Sequence, residues 1–198
     1  MAINLQKGQT FNLTKESSSL STVRAELGWN TPTNKFPKFD LDVSLFGLIN
    51  NAAGEPKLID EDYFMFYNHS NKTDDSSPIT NNDGALVKSP DETSGGVEWL
   101  KVNLPLVRAD VDELSFIVTI HEAHKRAQTF NYVDDAYIAL FDDNTGEEIV
   151  RYDLDAAFST ETAVQIGSLT KNGSEWTFTA IGVGYDLELG DFVAGYTS

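Results

Sequence analysis

Apolar residues return at every second position through most of this chain, and that period belongs to strands buried on one face. Val23, Ala25 and Leu27 alternate with polar neighbours before Gly28-Trp29, and Phe39, Leu41, Val43 and Leu45 repeat the pattern. Strand character resumes in residues 99–104 and 114–120. Two later pairs of runs enclose turn chemistry: residues 136–141 and 148–152 flank Asp142-Asp143-Asn144-Thr145-Gly146, and residues 162–169 and 176–183 flank Lys171-Asn172-Gly173. Both read as β-hairpins. Ile3 and Leu5, then Phe11 and Leu13 after Lys7-Gly8, predict an opening hairpin, and residues 63–67 predict a short aromatic strand. Helical turns are expected only at residues 105–111 and 153–158, and the tail from residue 185 carries no clear pattern. Many short strands with turn signals every ~8–12 residues predict an all-β fold, a β-sandwich of two mostly antiparallel sheets with few short helical turns. No internal boundary is visible, so one domain is expected over residues 1–198.

The hydrophobic content of 40% is enough for a core and argues against wholesale disorder. Fourteen basic against 31 acidic side chains leave a formal net charge of −17. A field of that sign repels nucleic acid and anionic lipid and attracts cations, although acidity by itself can serve only solubility. The absence of cysteine excludes disulfides, zinc-thiolate sites and thiol catalysis. The first residues show no long apolar run and no stretch approaches ~18 apolar residues, so neither a signal peptide nor a membrane span is expected, and the cytoplasm is the expected location.

Against this background the stretch FDLDVSLFGL, residues 39–48, is unusual. Phe39, Leu41, Val43 and Leu45 share one face of the predicted strand, while Asp40, Asp42 and Ser44 share the other, which turns apolar again at Phe46 and Leu48. Two carboxylates ~7 Å apart on one face repel unless they meet water, a basic partner or a shared cation. Residues 68–96 form a long polar segment carrying Asn68, Asp74, Asp75, Asp83, Asp91, Glu92 and, just beyond, Glu98, with Lys72 and Lys88 as its only bases. A hard cation drawn to such oxygens would anchor a loop that has little apolar material to hold it. The segment matches no EF-hand. His121-Glu122-Ala123-His124 lacks the spacing that puts two histidines of a zinc protease on one helical face, and neither a nucleophile elbow nor a glycine-rich phosphate loop is present. Paired acids also serve glycoside hydrolysis, and Trp29, Trp99 and Trp176 could stack on sugars. A carbohydrate-binding module, a glycosidase and a calcium-independent interaction module therefore stay open at this point.

An ordered set of motifs resembles the TerD family of tellurium-resistance and stress proteins. The set comprises Gly28-Trp29, Phe39-Asp40-Leu41-Asp42-Val43-Ser44, Phe64-Met65-Phe66-Tyr67-Asn68, the run EWLKVNL from Glu98, VTIHEAHKRAQTF from Val118, IVRYDL from Ile149, STETA from Ser159, GSEWTF from Gly173 and GVGY from Gly182. The resemblance implies a cytoplasmic, non-enzymatic β-sandwich that binds calcium, typically two ions, at one end. It also implies protein partners in stress-response complexes, some of them membrane-associated, and links to tellurite resistance, phage inhibition and colicin tolerance. Asp40 and Asp42 match the family's acidic strand motif, and Asn68 matches the Asn after its aromatic strand. Asn82-Asp83-Gly84 and Gly95-Gly96-Val97-Glu98 stand where the family carries G-D-N and G-D-D-E, so the paired aspartates are missing here. The expected calcium ligands are then Asp40, Asp42, Asn68, Asp83 and Glu98, with Asp91 and Glu92 as substitutes for the missing acids, and one ion is expected in preference to two.

Overall fold

A computed structural model describes residues 2–17, 19–30, 39–93, 96–153, 158 and 160–198. Two seven-stranded sheets face each other. In spatial order, one sheet contains β1 (Ile3–Asn4), β12 (Glu148–Asp153), β11 (Asp134–Asp142), β3 (Thr22–Asn30), β9 (Gly96–Asn103), β8 (Leu86–Lys88) and β7 (Ile79–Thr80). The other contains β2 (Thr10–Asn12), β14 (Glu175–Tyr185), β13 (Ala163–Asn172), β10 (Glu113–Ile120), β4 (Leu41–Asn50) and β5 (Pro56–Leu58), with β6 (Phe64–Met65) also paired to β4. All the pairings are antiparallel except β1 with β12. The expected sandwich is the observed one, and both later hairpins form as β11–β12 and β13–β14.

Alternation places the core. Val23, Ala25 and Leu27 of β3 and Leu100 and Val102 of β9 meet Leu41, Val43 and Leu45 of β4 and Phe116 of β10 between the sheets. The opposite face of β4 behaves differently along its length. Phe46 and Leu48 join Ile117, Ala163 and Phe64 in a second apolar layer on the outside of that sheet. A C-terminal helix, α3 (Leu189–Thr197), roofs this layer with Phe192, Val193 and Tyr196. Its first turn is closed reciprocally: the Glu188 carboxylate accepts from the Asp191 N–H, and the Asp191 carboxylate accepts from the Glu188 N–H. Phe64 stacks between Phe46 and Phe66 at centroid distances of 4.5 and 4.3 Å.

Several local expectations need correction. The first two strands do not form a hairpin: after Gly8, whose φ of 81° suits glycine, the chain leaves β1 in one sheet and enters β2 in the other. Leu13 belongs to the short helix α1 (Leu13–Glu16). Residues 63–67 keep only β6 as strand, because Glu61–Tyr63 form a 3₁₀ turn capped by the Asp60 carboxylate. The helical turn expected at residues 105–111 shrinks to Leu104–Leu106, and residues 154–157 of the other expected turn lie outside the described residues. The polar segment 68–96 contains β7 and β8. A further one-turn helix, α2 (Ala123–Arg126), follows β10.

Candidate metal centre

β4 is bordered by β10 along Leu41–Leu48, but among the described residues its other edge is paired only from Leu45 onward, by β6 and then β5. Among the described residues no strand pairs with the acidic end on that side. A buried N–H there needs an acceptor, and Val43 finds one across the sandwich by donating to Glu98 Oε2 at 2.9 Å. Glu98 shares one face of β9 with the buried Leu100 and Val102, so it projects inward from the opposite sheet. Its Oε1 accepts from the Glu92 N–H at 3.1 Å and lies 3.1 Å from Lys88 Nζ. Lys88 likewise shares the inward face of β8 with Leu86, and both members of the ion pair are fully buried.

Asp91 completes the group. Single oxygens of Asp42, Asp91 and Glu98 lie within 4.8 Å of one another. Two oxygens held by one calcium ion at 2.3–2.6 Å can be at most ~5 Å apart, so this spacing fits a shared ion. Asp42 is only 3% exposed, and Asp40 Oδ1 and Asp91 Oδ1 are buried without a hydrogen-bond partner. Such orphaned acceptors are rare in folded proteins and are what a cation would satisfy. An all-oxygen donor set of this kind selects a hard cation. His121 Nδ1 stands 3.6 Å from Asp42 Oδ2, and its ring meets Tyr67 edge-on at 5.7 Å. A cleft of about 320 Å³ opens on Asp42 between Tyr67, His121, Glu122 and Glu188.

Electrostatics register the crowding. Burial, followed by the charges of Glu98, Asp91 and Asp40, pushes the Asp42 carboxyl up to about 9, with Lys88 pulling the other way. Asp40 is raised by burial and then by Asp91. Burial also raises Glu98, opposed by Lys88 and by the Val43 and Glu92 N–H groups. The Tyr67 hydroxyl is raised by burial and by Asp42, Asp91 and Asp40. A divalent ion would replace the protons that these groups otherwise need.

Of the residues singled out in the sequence, Asp42, Asp91 and Glu98 are brought together, Asp40 stands beside them, and Glu92 contributes a backbone N–H. Asn68 is exposed in the turn after Tyr67. Asp83 is not brought to the cluster: it accepts from Tyr63 Oη at 2.6 Å and from the Ala85 N–H at 2.9 Å. Tyr63 packs on Gly47, where a Cβ would come within 2.6 Å of its ring, and Gly47 lies about 16 Å along β4 from Asp42 at ~3.3 Å per residue. The two histidines of His121-Glu122-Ala123-His124 diverge, one to Asp42 and the other to Asp186 at 2.8 Å. Trp29 and Trp176 are buried in the core and Trp99 is half-buried beneath Lys101 Nζ, 4.9 Å from its ring, so these rings are covered where stacking on a sugar would require an open face. The residue that sequence reasoning passed over is Lys88, whose only signal was its place at the end of Leu86-Val87-Lys88, two residues after a buried leucine.

Comparison with known proteins gives one consistent answer. The family model of the TerD domain matches residues 1–196. General stress protein 16U of Bacillus subtilis (strain 168) is 40% identical over 203 residues, covering 99% of this chain and 97% of that protein. Tellurium resistance protein TerD of Serratia marcescens is 36% identical over 200 residues, with 99% and 97% covered. The fold is similar to the crystal structure of a homologue of telluride resistance protein (TerD) from Streptomyces coelicolor A3(2), with a TM-score of 0.67 across 91% of this chain and 100% of that one at 19% identity, a likeness that speaks to the fold alone. With the family model matched from end to end and both sheets in place, the chain belongs to the TerD family.

Proposed function

We propose that this protein is a calcium-binding, non-enzymatic component of a tellurium-resistance or stress response, holding one ion at the rim of its sandwich. The observation that carries the reading is the buried group Asp42, Asp91 and Glu98, with oxygens within 4.8 Å, the neighbouring Asp40 and orphaned acceptors. Asp42, Asp91 and Glu98 would be the central ligands and Asp40 an adjacent one. The ion would neutralise the cluster and tie the segment around Asp91 to both sheets. Relatives carry the names of resistance and stress proteins, which supports a binding role over a catalytic one. On this reading the protein works in the cytoplasm, and protein partners of a stress-response complex, some of them membrane-associated, recognise the loaded surface. Nucleic acid is repelled by a net charge of −17.

The test is thermal unfolding in calcium, magnesium and chelator, with calorimetric titration for affinity and stoichiometry. Calcium at ~100-fold above its Kd adds roughly 2.7 kcal/mol, which at ~2–4 °C per kcal/mol raises Tm by about 5–10 °C. Asp42→Asn is expected to remove most of that shift. A melt indifferent to calcium would overturn the reading and leave the cluster as a core of shared protons.

A further inference from the structure

Lys88 is a conspicuous expense in the centre just described. It ends a strand whose inward positions are otherwise apolar, and it is fully buried. A buried ammonium loses its hydration, and a leucine of similar reach would pack there without that loss. Its Nζ lies 3.1 Å from Glu98 Oε1, so its charge acts directly on that carboxylate. The residue it faces has a demanding task, because the Glu98 carboxylate accepts the Val43 N–H from one sheet and the Glu92 N–H from the loop beside the other. Those bonds are strongest to an ionised acceptor. Ionised, Glu98 would confront Asp42 and Asp91 across less than 4.8 Å.

From this arrangement we infer that Lys88 is the resident counter-ion of the acidic centre: it keeps the ion-free site folded and, by the same charge, limits how tightly a divalent cation is held there. The inference rests on the calcium reading above for its second half. A divalent ion bound to Glu98 sits within a few ångströms of the Lys88 ammonium, which neither leaves nor exchanges. The two positive charges repel through a medium of low dielectric. Lys88 thus trades affinity for preorganisation: the cluster exists before calcium arrives, and calcium binds it more weakly than it would bind four acids and no lysine.

The experiment compares wild type, Lys88→Met, Glu98→Gln and the double variant by thermal unfolding in chelator and in calcium, and by calcium calorimetry. Methionine keeps the length and apolar stem of lysine without its charge. In chelator Lys88→Met is expected to melt below wild type. In calcium it recovers, with a larger upward shift than wild type and a Kd tighter by about tenfold or more. Glu98→Gln strands the lysine; adding Lys88→Met to it is expected to raise Tm in chelator and to strengthen calcium binding relative to Glu98→Gln alone. That comparison decides the matter even if Lys88→Met by itself does not fold. Equal or weaker calcium affinity on removing the lysine, in either background, overturns the inference. If wild type binds no calcium while a lysine-free variant does, the calcium reading of the native protein falls and the role of Lys88 stands. If neither binds, the calcium reading and the second half of the inference fall, and the melts in chelator decide the first half. If all bind alike, only the role of Lys88 falls.

Discussion

Asp42 meets two very different surroundings on either side of the folding transition. In the unfolded chain its carboxyl ionises near its ordinary value of 3.8, while in the folded chain burial and three acidic neighbours lift it to about 9. Between those values the folded state holds a proton that the unfolded state has released. Stability contributed by Asp42 is therefore fully present below pH ~4 and lost as pH rises toward 9. In chelator, Tm is expected to fall by several degrees between pH 5 and pH 8, and Asp42→Asn is expected to flatten that slope. Saturating calcium should flatten it as well, since the ion takes over from the proton, and a series of melts across pH in the two conditions checks both outcomes. That Asp42 and Glu98 would meet was legible, because two carboxylates in a strand need partners and Glu98 closes the acidic segment that resembles the family's loop. Lys88 was not legible, because three strand residues inside a polar segment carry too little period to show which side is buried. Asp83 reads as a ligand in one dimension, yet Tyr63 and the Ala85 N–H claim it elsewhere.

Elements show the same division. β4 was readable to the face: Leu41, Val43 and Leu45 enter the central core, and Phe46 and Leu48 enter the layer beneath α3. Helix α3 itself was invisible, since nine residues with two glycines give no clear apolar stripe and the helix is stable only where it lies on the sheet. Phe192→Ala is expected to cost about 3 kcal/mol in chemical denaturation, because Phe192 is buried and meets Tyr185 edge-on at 5.3 Å. The variant should also bind more of a hydrophobic dye while keeping its calcium-induced shift. The end of α2 offers a gain. Ala127 caps it with φ of 50°, a left-handed conformation that costs an alanine ~1–2 kcal/mol. Ala127→Gly, at an exposed position, is expected to raise Tm by a few degrees after the greater unfolded-state freedom of glycine is deducted.

At the scale of the whole molecule, charge dominates. A chain with 31 acidic and 14 basic side chains repels itself when folded. Raising sodium chloride to about 0.5 M brings the screening length to several ångströms, so the ion-free protein is expected to melt higher and to bind calcium more weakly. Melts and titrations at low and high salt check the two opposed trends together. No helix of the described residues is long and apolar enough to cross a membrane. The sandwich brings distant segments into one place: Glu98 of one sheet satisfies Val43 of the other, and the loop carrying Asp91 closes over both.

The sequence by itself determined the sandwich, because a side-chain period of two admits little else, and it determined that Asp40 and Asp42 required explanation, because like charges beside a core cannot go unpartnered. Only the tertiary structure decided which oxygens share a centre. It drew in Asp91, left Asp83 with Tyr63 and placed the charge of Lys88 against Glu98. It also sent the first two strands to opposite sheets and folded the tail into a roof. The physical reason is the same throughout. Alternation is a property of neighbours along the chain and fixes which face is buried, whereas pairing across sheets joins residues far apart in sequence and follows from edges, turns and charges that no local pattern records.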